Sequence, residues 1–232
     1  MIVGSIKEDL TVEKRVSLTP ETAKNIIGLG LEISLEKDYA NHLGIQDKEY
    51  TNAGVKIKDS SSEVLSSCDL LIKVNCPSEK EITNLREKTI LVGMFNPSKN
   101  KNQINEMIKK KLNIFSLELL PRITRAQSMD VLSSQSNLAG YRAVIDCVAE
   151  FEKAIPMMMT AAGTVPAAKV LVIGAGVAGL QAIATAKRMG AIVFATDVRM
   201  ASKEQVESLG GKFLSVDGSE NLETEGGYAK ET

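Results

Sequence analysis

KVLVIGAGVAGLQAIATAKRMGAIVFATD, residues 169–197, is the stretch that decides the fold class of this chain. An apolar, β-branched run leads into GAGVAG, residues 174–179, which fits the pattern G-x-G-x-x-G. A helical segment follows, and a second apolar run ends at Asp197, roughly 20 residues after Gly174. Strand, glycine turn, helix and strand in this order predict a βαβ unit of a parallel α/β sheet.

Each glycine of the turn has a predicted physical role in binding a dinucleotide. Gly174 makes the tight turn, Gly176 lets the backbone approach a pyrophosphate, and Gly179 lets helix and strand pack closely. The N-terminus of the following helix supplies N–H groups and partial positive charge for phosphates. The predicted cofactor-binding residues here are Gly174, Ala175, Gly176, Val177, Gly179, Asp197, Val198 and Arg199.

Asp197 also bears on which dinucleotide is expected. A carboxylate at the end of the second strand can accept hydrogen bonds from the adenosine ribose hydroxyls, whereas a 2′-phosphate would place two negative charges together. Arg199 could receive such a phosphate, but Asp197 occupies the strand-end position. The sequence therefore favours NAD over NADP.

Composition narrows the class of partner. The chain has 232 residues, with 28 Lys and Arg against 29 Asp and Glu, so its charge gives no reason to expect nucleic acid or an anionic membrane. The longest apolar run, residues 170–186, nearly suits a membrane helix, but its ordered glycines and strand-like start argue against one. The N-terminus shows no signal peptide.

Cysteine and histidine give no sign of a metal site. Cys68, Cys76 and Cys147 are too widely spaced for a disulfide framework or a metal-type pair, which favours reduced thiols in a cytosol-like compartment. His42 cannot complete a zinc site with them at any familiar spacing. No bound metal is therefore predicted.

Two halves can be distinguished along the chain. Residues 1–133 alternate short apolar strands with helical segments, including TPETAKNIIGLG, where Thr19 is a predicted N-cap and Pro20 the first helical residue. Residues 134–232 open with a long helix and contain the glycine turn. The pattern predicts two Rossmann-like parallel-sheet domains, 1–133 and 134–232, the second being incomplete at its C-terminal end and closing in a mobile loop.

Several apolar residues of the second half have an ordinary structural interpretation. The run Met157 to Met159 is expected to be flexible core packing, and Cys147 and Tyr141 are expected to be buried. Ser133, Ser134 and Ser136 are predicted N-caps of the long helix.

Longer segments carry a more specific resemblance. PRITRAQSMDVLSSQSNLAGYRAV, PMMMTAAGTVPAAKVLVIGAGVAGLQAIATAKRMGA, ATDVR and KEQVESLGGKF closely resemble the NAD(H)-binding domain I, in the alpha subunit, of proton-translocating NAD(P) transhydrogenases. The segments EKRVSLTPE and LIKV resemble the wider alanine dehydrogenase/transhydrogenase N-terminal domain. The resemblance extends over essentially the whole chain.

The resemblance implies direct hydride transfer between NADH on this domain and NADP⁺ on a partner domain. In that family the full enzyme couples the transfer to proton movement through a membrane domain or beta subunit, and domain I is a dimer that does not itself enter the membrane. The implied location is cytoplasmic and peripheral to the inner membrane, through partner subunits. Such chemistry needs aligned nicotinamide rings and no acid or base residue.

The nicotinamide-orienting residues follow from the resemblance by motif match: Arg122, Gln127, Asp130 and Ser133. Arg122 can donate to the carboxamide oxygen, while Asp130 or Ser133 can accept from its NH₂ group. Gln127 could reach the nicotinamide ribose. The family's mobile loop ends in a motif that matches GGYAK here, with Tyr228 as its aromatic residue.

Two other functions stay open at this point. An alanine dehydrogenase would use Arg15 and Lys73 on a substrate carboxylate, but the family's histidine acid/base is absent, since Asn96 lies after the strand TILVGMF and His42 is far away in sequence. A non-catalytic NAD-binding fragment is the other alternative, because missing strands would leave an exposed sheet edge.

Overall fold

The computed structural model describes residues 1–121 and 123–215, and the chain divides into two compact units, Met1–Asp130 and Val131–Thr232. Both units contain parallel sheet with helices between consecutive strands, so the predicted α/β class is confirmed. Arg122 and Tyr228 lie outside the described residues.

The first unit is built on a parallel sheet whose six described strands run in the order β3-β2-β1-β4-β5-β6. The order reverses between β1 and β4, as in doubly wound nucleotide-binding folds. Its strands are β1 (Ile2–Ser5), β2 (Glu32–Glu36), β3 (Lys56–Lys58), β4 (Leu70–Ile72), β5 (Ile90–Gly93) and β6 (Asn113–Ser116). Its helices are α1 (Pro20–Gly28), α2 (Asp47–Asn52), α3 (Ser61–Ser67), α4 (Glu79–Asn84) and α5 (Lys101–Lys109).

Helix α1 begins as the sequence predicts. The Thr19 hydroxyl accepts from the Thr22 N–H at 3.2 Å, and the Thr22 hydroxyl accepts from the Thr19 N–H at 2.8 Å, a reciprocal capping box. Pro20 takes the first helical position, where its missing N–H removes no helical hydrogen bond. The expected N-cap is thereby confirmed.

The second unit contains α6 (Val131–Glu150), the antiparallel ribbon of β7 (Met158–Thr160) and β8 (Gly163–Val165), and a parallel sheet. The described sheet has the order β11-β10-β9, so β9 lies at its edge. Its elements are β9 (Lys169–Ile173), α7 (Val177–Arg188), β10 (Ile192–Thr196), α8 (Ser202–Ser208) and β11 (Lys212–Phe213). The strand–turn–helix–strand order predicted from the opening stretch is confirmed.

Three expectations about buried residues in the second unit are wrong. Met158 and Met159 are 51% and 72% exposed, because they lie on the β7–β8 ribbon, which is exposed along its described length. Tyr141 is also exposed, because α6 buries the neighbouring face that carries Gly140 and Val144. Cys147 is exposed beside an apolar groove between α6 and β9.

Local boundaries also differ from the expected ones. Helix α6 begins at Val131, so Ser133, Ser134 and Ser136 lie inside it and are not N-caps. Strand β6 ends at Ser116, where a short 3-10 turn begins, because the apolar run after it no longer pairs with β5. Among the described helices, none is long and apolar enough to span a membrane.

Candidate nucleotide-binding site

The turn between β9 and α7 has the geometry that its glycines suggest. Gly174 has a φ of +92°, a backbone conformation that side chains disfavour and glycine adopts freely. Its N–H donates to the carbonyl of Thr196 at 2.8 Å, which ties the start of the turn to the end of β10. The two strand ends are therefore held side by side, and Asp197 follows directly.

Gly179 is required by a close approach within the turn. A Cβ on this residue would lie 1.8 Å from the carbonyl oxygen of Gly174, whereas the nearest strand side-chain atom, Val172 Cγ1, would be 3.5 Å away. The backbone carbonyl of the turn, and not the strand side chain, therefore sets the limit. Helix α6 makes a similar approach, because a Cβ on Gly140 would lie 2.0 Å from the carbonyl oxygen of Ala178.

The N-terminus of α7 is arranged to receive an anion. Gly176 is the N-cap residue, its backbone is extended, and no side chain of the described residues caps the helix. The first N–H groups of a helix lack intrahelical acceptors and carry partial positive charge, which suits a pyrophosphate. A Cβ on Gly176 would meet only the Arg199 guanidinium among the described atoms, at 4.0 Å from Nη2, so the approach to the turn is open.

Asp197 joins the glycine turn to the loop after β10. Its Oδ2 accepts from the Ala175 N–H at 2.6 Å and from Arg199 Nη2 at 2.9 Å. Its Oδ1 accepts from the Arg199 backbone N–H at 2.8 Å and from Arg199 Nε at 2.9 Å. The carboxylate is buried, with 6% of its side chain exposed, and the Arg199 side chain is 20% exposed.

These contacts make Asp197 a strong acid. Hydrogen bonds from Arg199 hold the pKa of the carboxyl down to about 2, with further lowering by the Ala175 N–H, although burial alone would raise the pKa. The group is therefore ionised at any neutral pH. It presents a fixed negative charge at the strand end.

Asp197 should make stability depend on pH in acid. Because its pKa is lowered on folding from 3.8 to about 2, its contribution is complete above the unfolded value and is lost as the pH falls through the folded value. We expect the melting temperature of the wild type to approach that of Asp197→Asn over this window. Thermal unfolding of both proteins across acid pH measures the difference. A gap that does not change with pH would contradict the expectation.

The remaining predicted residues of this site differ in exposure. Ala175 is buried, with its N–H turned to Asp197, while Val177 and Val198 are 45% and 48% exposed. Two exposed valines beside the turn offer apolar surface of the kind on which an adenine ring packs. The structure thus brings together Gly174, Ala175, Gly176, Gly179, Asp197 and Arg199 within the second unit.

The predicted nicotinamide-orienting residues lie in the segment around the division between the units. Gln127 is exposed on the 3-10 turn Thr124–Met129, which is anchored by buried Ala126. Asp130 ends that turn, and its N–H donates to the Gln127 carbonyl at 3.2 Å. Ser133 is half-buried in the first turn of α6.

A polar cluster at the carboxyl ends of β1 and β4 was only half visible in the sequence. Lys73 is 5% exposed, and its Nζ lies 2.8 Å from Glu8 Oε2 and 3.7 Å from Glu81 Oε1. The other oxygen of Glu8 accepts from the Val74 N–H at 2.7 Å. Lys73 is therefore a buried member of an ion-paired group, in a place where the strand order reverses.

Arg15 is held by a neighbouring carboxylate. Its Nε and Nη2 donate to the two oxygens of Glu13 at 2.8 and 2.6 Å, and this contact lowers the pKa of the buried Glu13 carboxyl. Sequence reasoning identified Arg15 and Lys73 but missed the carboxylates Glu13 and Glu8. The missing signal was spatial, because only the adjacency of β1 and β4 brings Glu8 to Lys73.

The position where an alanine dehydrogenase would carry its histidine is occupied by Asn96. Its φ is +46°, which asparagine tolerates better than most residues, and its backbone N–H donates to Glu118. His42 lies elsewhere in the first unit, on an exposed 3-10 turn with Nε2 at 2.8 Å from the Lys14 carbonyl oxygen. No group of three or more His, Cys, Asp or Glu residues among the described residues is arranged to hold a metal ion.

Comparison with protein families supports the resemblance seen in the sequence. The model described as "Alanine dehydrogenase/PNT, N-terminal domain" matches residues 4–139, and "Alanine dehydrogenase/PNT, C-terminal domain" matches residues 143–230. The predicted relationship to this family is confirmed.

Individual relatives agree. The chain is 51% identical over 238 residues to the first of the separately encoded pieces of NAD(P) transhydrogenase subunit alpha in Rhodospirillum rubrum, covering 100% of this chain and 62% of that protein. A transhydrogenase structure from Sinorhizobium meliloti matches with a TM-score of 0.88 and 50% identity, over 93% of this chain and 64% of that one. An alanine dehydrogenase of Methanococcus maripaludis is more distant, at 28% identity over 85% of this chain and 53% of that protein. The chain thus spans less than two thirds of these relatives.

Proposed function

This chain belongs to the alanine dehydrogenase/PNT family, and on that premise we propose that it is the NAD(H)-binding component of a proton-translocating NAD(P) transhydrogenase. Bound NAD(H) supplies the hydride, which passes to NADP⁺ on a partner domain. The observation that carries the proposal is the combination of the glycine turn, the open α7 N-terminus and the ionised Asp197. It is supported by the 51% identity to a transhydrogenase subunit.

The residues fit a dinucleotide with one adjustment. The α7 N-terminus and extended Gly176 suit the pyrophosphate, because N–H groups and open space lie on the same side of the turn. Asp197 suits the adenosine ribose as an acceptor, but a carboxylate has about four acceptor positions and four N–H donors already use them. The ribose must therefore displace part of the Arg199 guanidinium. Asp197 then favours NAD(H) over NADP(H).

The nicotinamide end is assigned to Arg122, Gln127, Asp130 and Ser133, with Tyr228 from the GGYAK motif closing over the cofactor. Arg122 donates to the carboxamide oxygen, and Asp130 or Ser133 accepts from its NH₂ group. Orientation of the ring is the whole catalytic task of these residues, since hydride transfer requires no acid or base from the protein. The exposure of Gln127 supports a role toward a ligand.

The proposed partners are an NADP(H)-binding domain, a membrane domain or beta subunit that carries protons, and a second copy of this chain. The exposed apolar β7–β8 ribbon, with Met158, Met159 and Val165, supports association with another protein surface. The near-neutral charge gives no support for nucleic acid. The chain would be peripheral to the inner membrane, on its cytoplasmic side, through these partners.

Alanine dehydrogenase activity is disfavoured by the same geometry. Oxidative deamination requires a group that takes and returns a proton at the substrate, and Asn96 cannot do so. Lys73 and Arg15 are already paired with Glu8 and Glu13, so their charges are matched within the protein.

Binding of the two reduced nucleotides tests the cofactor assignment. We expect the purified chain to bind NADH and to bind NADPH at least about tenfold more weakly, because the 2′-phosphate approaches the Asp197 carboxylate. Nucleotide fluorescence titration measures both dissociation constants. Equal affinities would contradict the assignment of Asp197.

A mixing experiment separates the proposed function from its alternatives. Supplied with a partner NADP(H)-binding domain, the chain is expected to support hydride transfer between nucleotides, while alanine and NAD⁺ yield no NADH. Binding of NADH without transfer would favour the non-catalytic alternative. Production of NADH from alanine would instead favour the amino-acid dehydrogenase.

A further inference from the structure

We propose that Arg199 is a specificity-determining residue: Asp197 sequesters its guanidinium, and without the Asp197 charge Arg199 would bind the 2′-phosphate of NADP(H). The inference rests on the proposed function, because it assumes that a nicotinamide nucleotide occupies the glycine turn. It goes beyond that function by assigning the rejection of NADP(H) to a pair of residues, of which the cation is a latent phosphate ligand.

The first observation is how completely Asp197 engages Arg199. Both side-chain donors in contact, Nε and Nη2, lie 2.9 Å from the two carboxylate oxygens, so the pair is bidentate. The Arg199 backbone N–H adds a third hydrogen bond at 2.8 Å. A bidentate guanidinium–carboxylate pair is among the stronger ion pairs in proteins, particularly where the carboxylate is buried, as it is here.

The second observation is where the pair lies. The Arg199 Nη2 atom is 4.0 Å from the position of a Cβ on Gly176, the residue that opens α7. The same carboxylate receives the Ala175 N–H, so anion site and ribose site meet at one point. The Arg199 side chain keeps 20% of its surface exposed, which leaves the guanidinium within reach of a ligand.

Charge then decides between the two nucleotides. A ribose with free hydroxyls can donate to Asp197 once part of the guanidinium contact is released. A 2′-phosphate has no hydrogen to replace those contacts when ionised, and it meets the negative charge of Asp197. It could pair with Arg199 only by taking the guanidinium from a carboxylate that binds it in the same bidentate manner. The wild-type pair therefore accepts NAD(H) and gives NADP(H) no net attraction.

Removing the carboxylate charge reverses this balance. In Asp197→Asn the amide oxygen can still accept from the Ala175 N–H, which preserves the link to the glycine turn. The Arg199 cation, however, is no longer neutralised by its neighbour. A guanidinium beside a ribose 2′ position is a common way in which related folds accommodate the extra phosphate.

The test compares NADH and NADPH dissociation constants for four forms of the full chain. We expect Asp197→Asn to weaken NADH about tenfold and to tighten NADPH about tenfold, since one charged hydrogen-bonding partner is lost and one is gained. We expect Asp197→Asn with Arg199→Gln to lose the NADPH gain. A matched control, Asp197→Asn with Lys203→Gln, removes an exposed cation four residues further on and should retain the gain.

Each outcome bears on a distinct claim. No tightening of NADPH in Asp197→Asn, or a gain that survives Arg199→Gln, would overturn the role of Arg199 while leaving NADH binding by the wild type intact. Failure of the wild type to bind either nucleotide would overturn the proposed function and this inference with it. Circular dichroism and thermal unfolding verify folding of each variant. If Asp197→Asn is unfolded, Asp197→Ser, whose hydroxyl can also accept from the Ala175 N–H, takes its place.

Discussion

Replacing Gly179 with alanine is expected to destabilise the second unit by roughly 3 kcal/mol or more, because the added methyl group meets a backbone atom that cannot rotate away. The new Cβ would lie 1.8 Å from the Gly174 carbonyl oxygen. Either α7 or the glycine turn must move, and the turn is tied to β10 through the Thr196 carbonyl. Urea denaturation of the purified variant, followed by far-UV circular dichroism, measures the loss.

Gly176→Ala is the matched control in the same turn. Its Cβ would meet no described atom closer than 4.0 Å, and its φ of −76° suits alanine, so we expect a change in stability of no more than about 0.5 kcal/mol. NADH binding should nevertheless weaken, because the methyl group occupies the space in which a pyrophosphate approaches the backbone. Equal stability of the two variants would show that the Gly179 contact relaxes without cost.

Lys73→Met is expected to destabilise the first unit by about 3–5 kcal/mol, because it leaves the buried Glu8 carboxylate without its cation. Both side chains are at most 5% exposed, and the 2.8 Å contact between them is accompanied by the hydrogen bond from Val74 N–H to Glu8. Denaturant unfolding monitored by circular dichroism measures the change. The double variant Lys73→Met with Glu8→Gln should recover much of the loss, since neither charge then remains.

Lys56→Met provides the control for Lys73→Met. Lys56 pairs with Glu32 in the same sheet, but the two side chains are 67% and 55% exposed, so water screens the pair. We expect a change of at most about 1 kcal/mol. Similar losses for Lys56→Met and Lys73→Met would mean that the buried pair contributes no more than a surface one.

The glycine turn was predictable because its chemistry is local. A left-handed residue, an extended N-cap and a close helix approach all require glycine at fixed spacing, and the sequence supplies Gly174, Gly176 and Gly179 there. The pairing of Asp197 with Arg199 was not predictable in the same way. Residues two apart point together or apart according to the backbone of the loop after β10, and only the folded loop turns both toward Ala175.

Burial was harder to predict than secondary structure. Hydrophobic residues at helical or strand spacing signal an apolar face, but they do not say whether another element covers it. Met158, Met159 and Tyr141 satisfy the pattern and are exposed. The short elements α2, β3 and α3 were missed because segments of three to seven residues contain too few periodic positions to distinguish them from loops.

By itself, the sequence determined the α/β class, the βαβ unit at residues 169–197 and the presence of an acid at its strand end, because spacing along one chain controls those features. Tertiary structure alone decided which charges neutralise one another. Strand order brings Glu8 to Lys73 across a separation of 65 residues, and the loop after β10 folds Arg199 onto Asp197. The physical reason is that the energy of an ion pair depends on distance and burial in space, neither of which is encoded by separation along the chain.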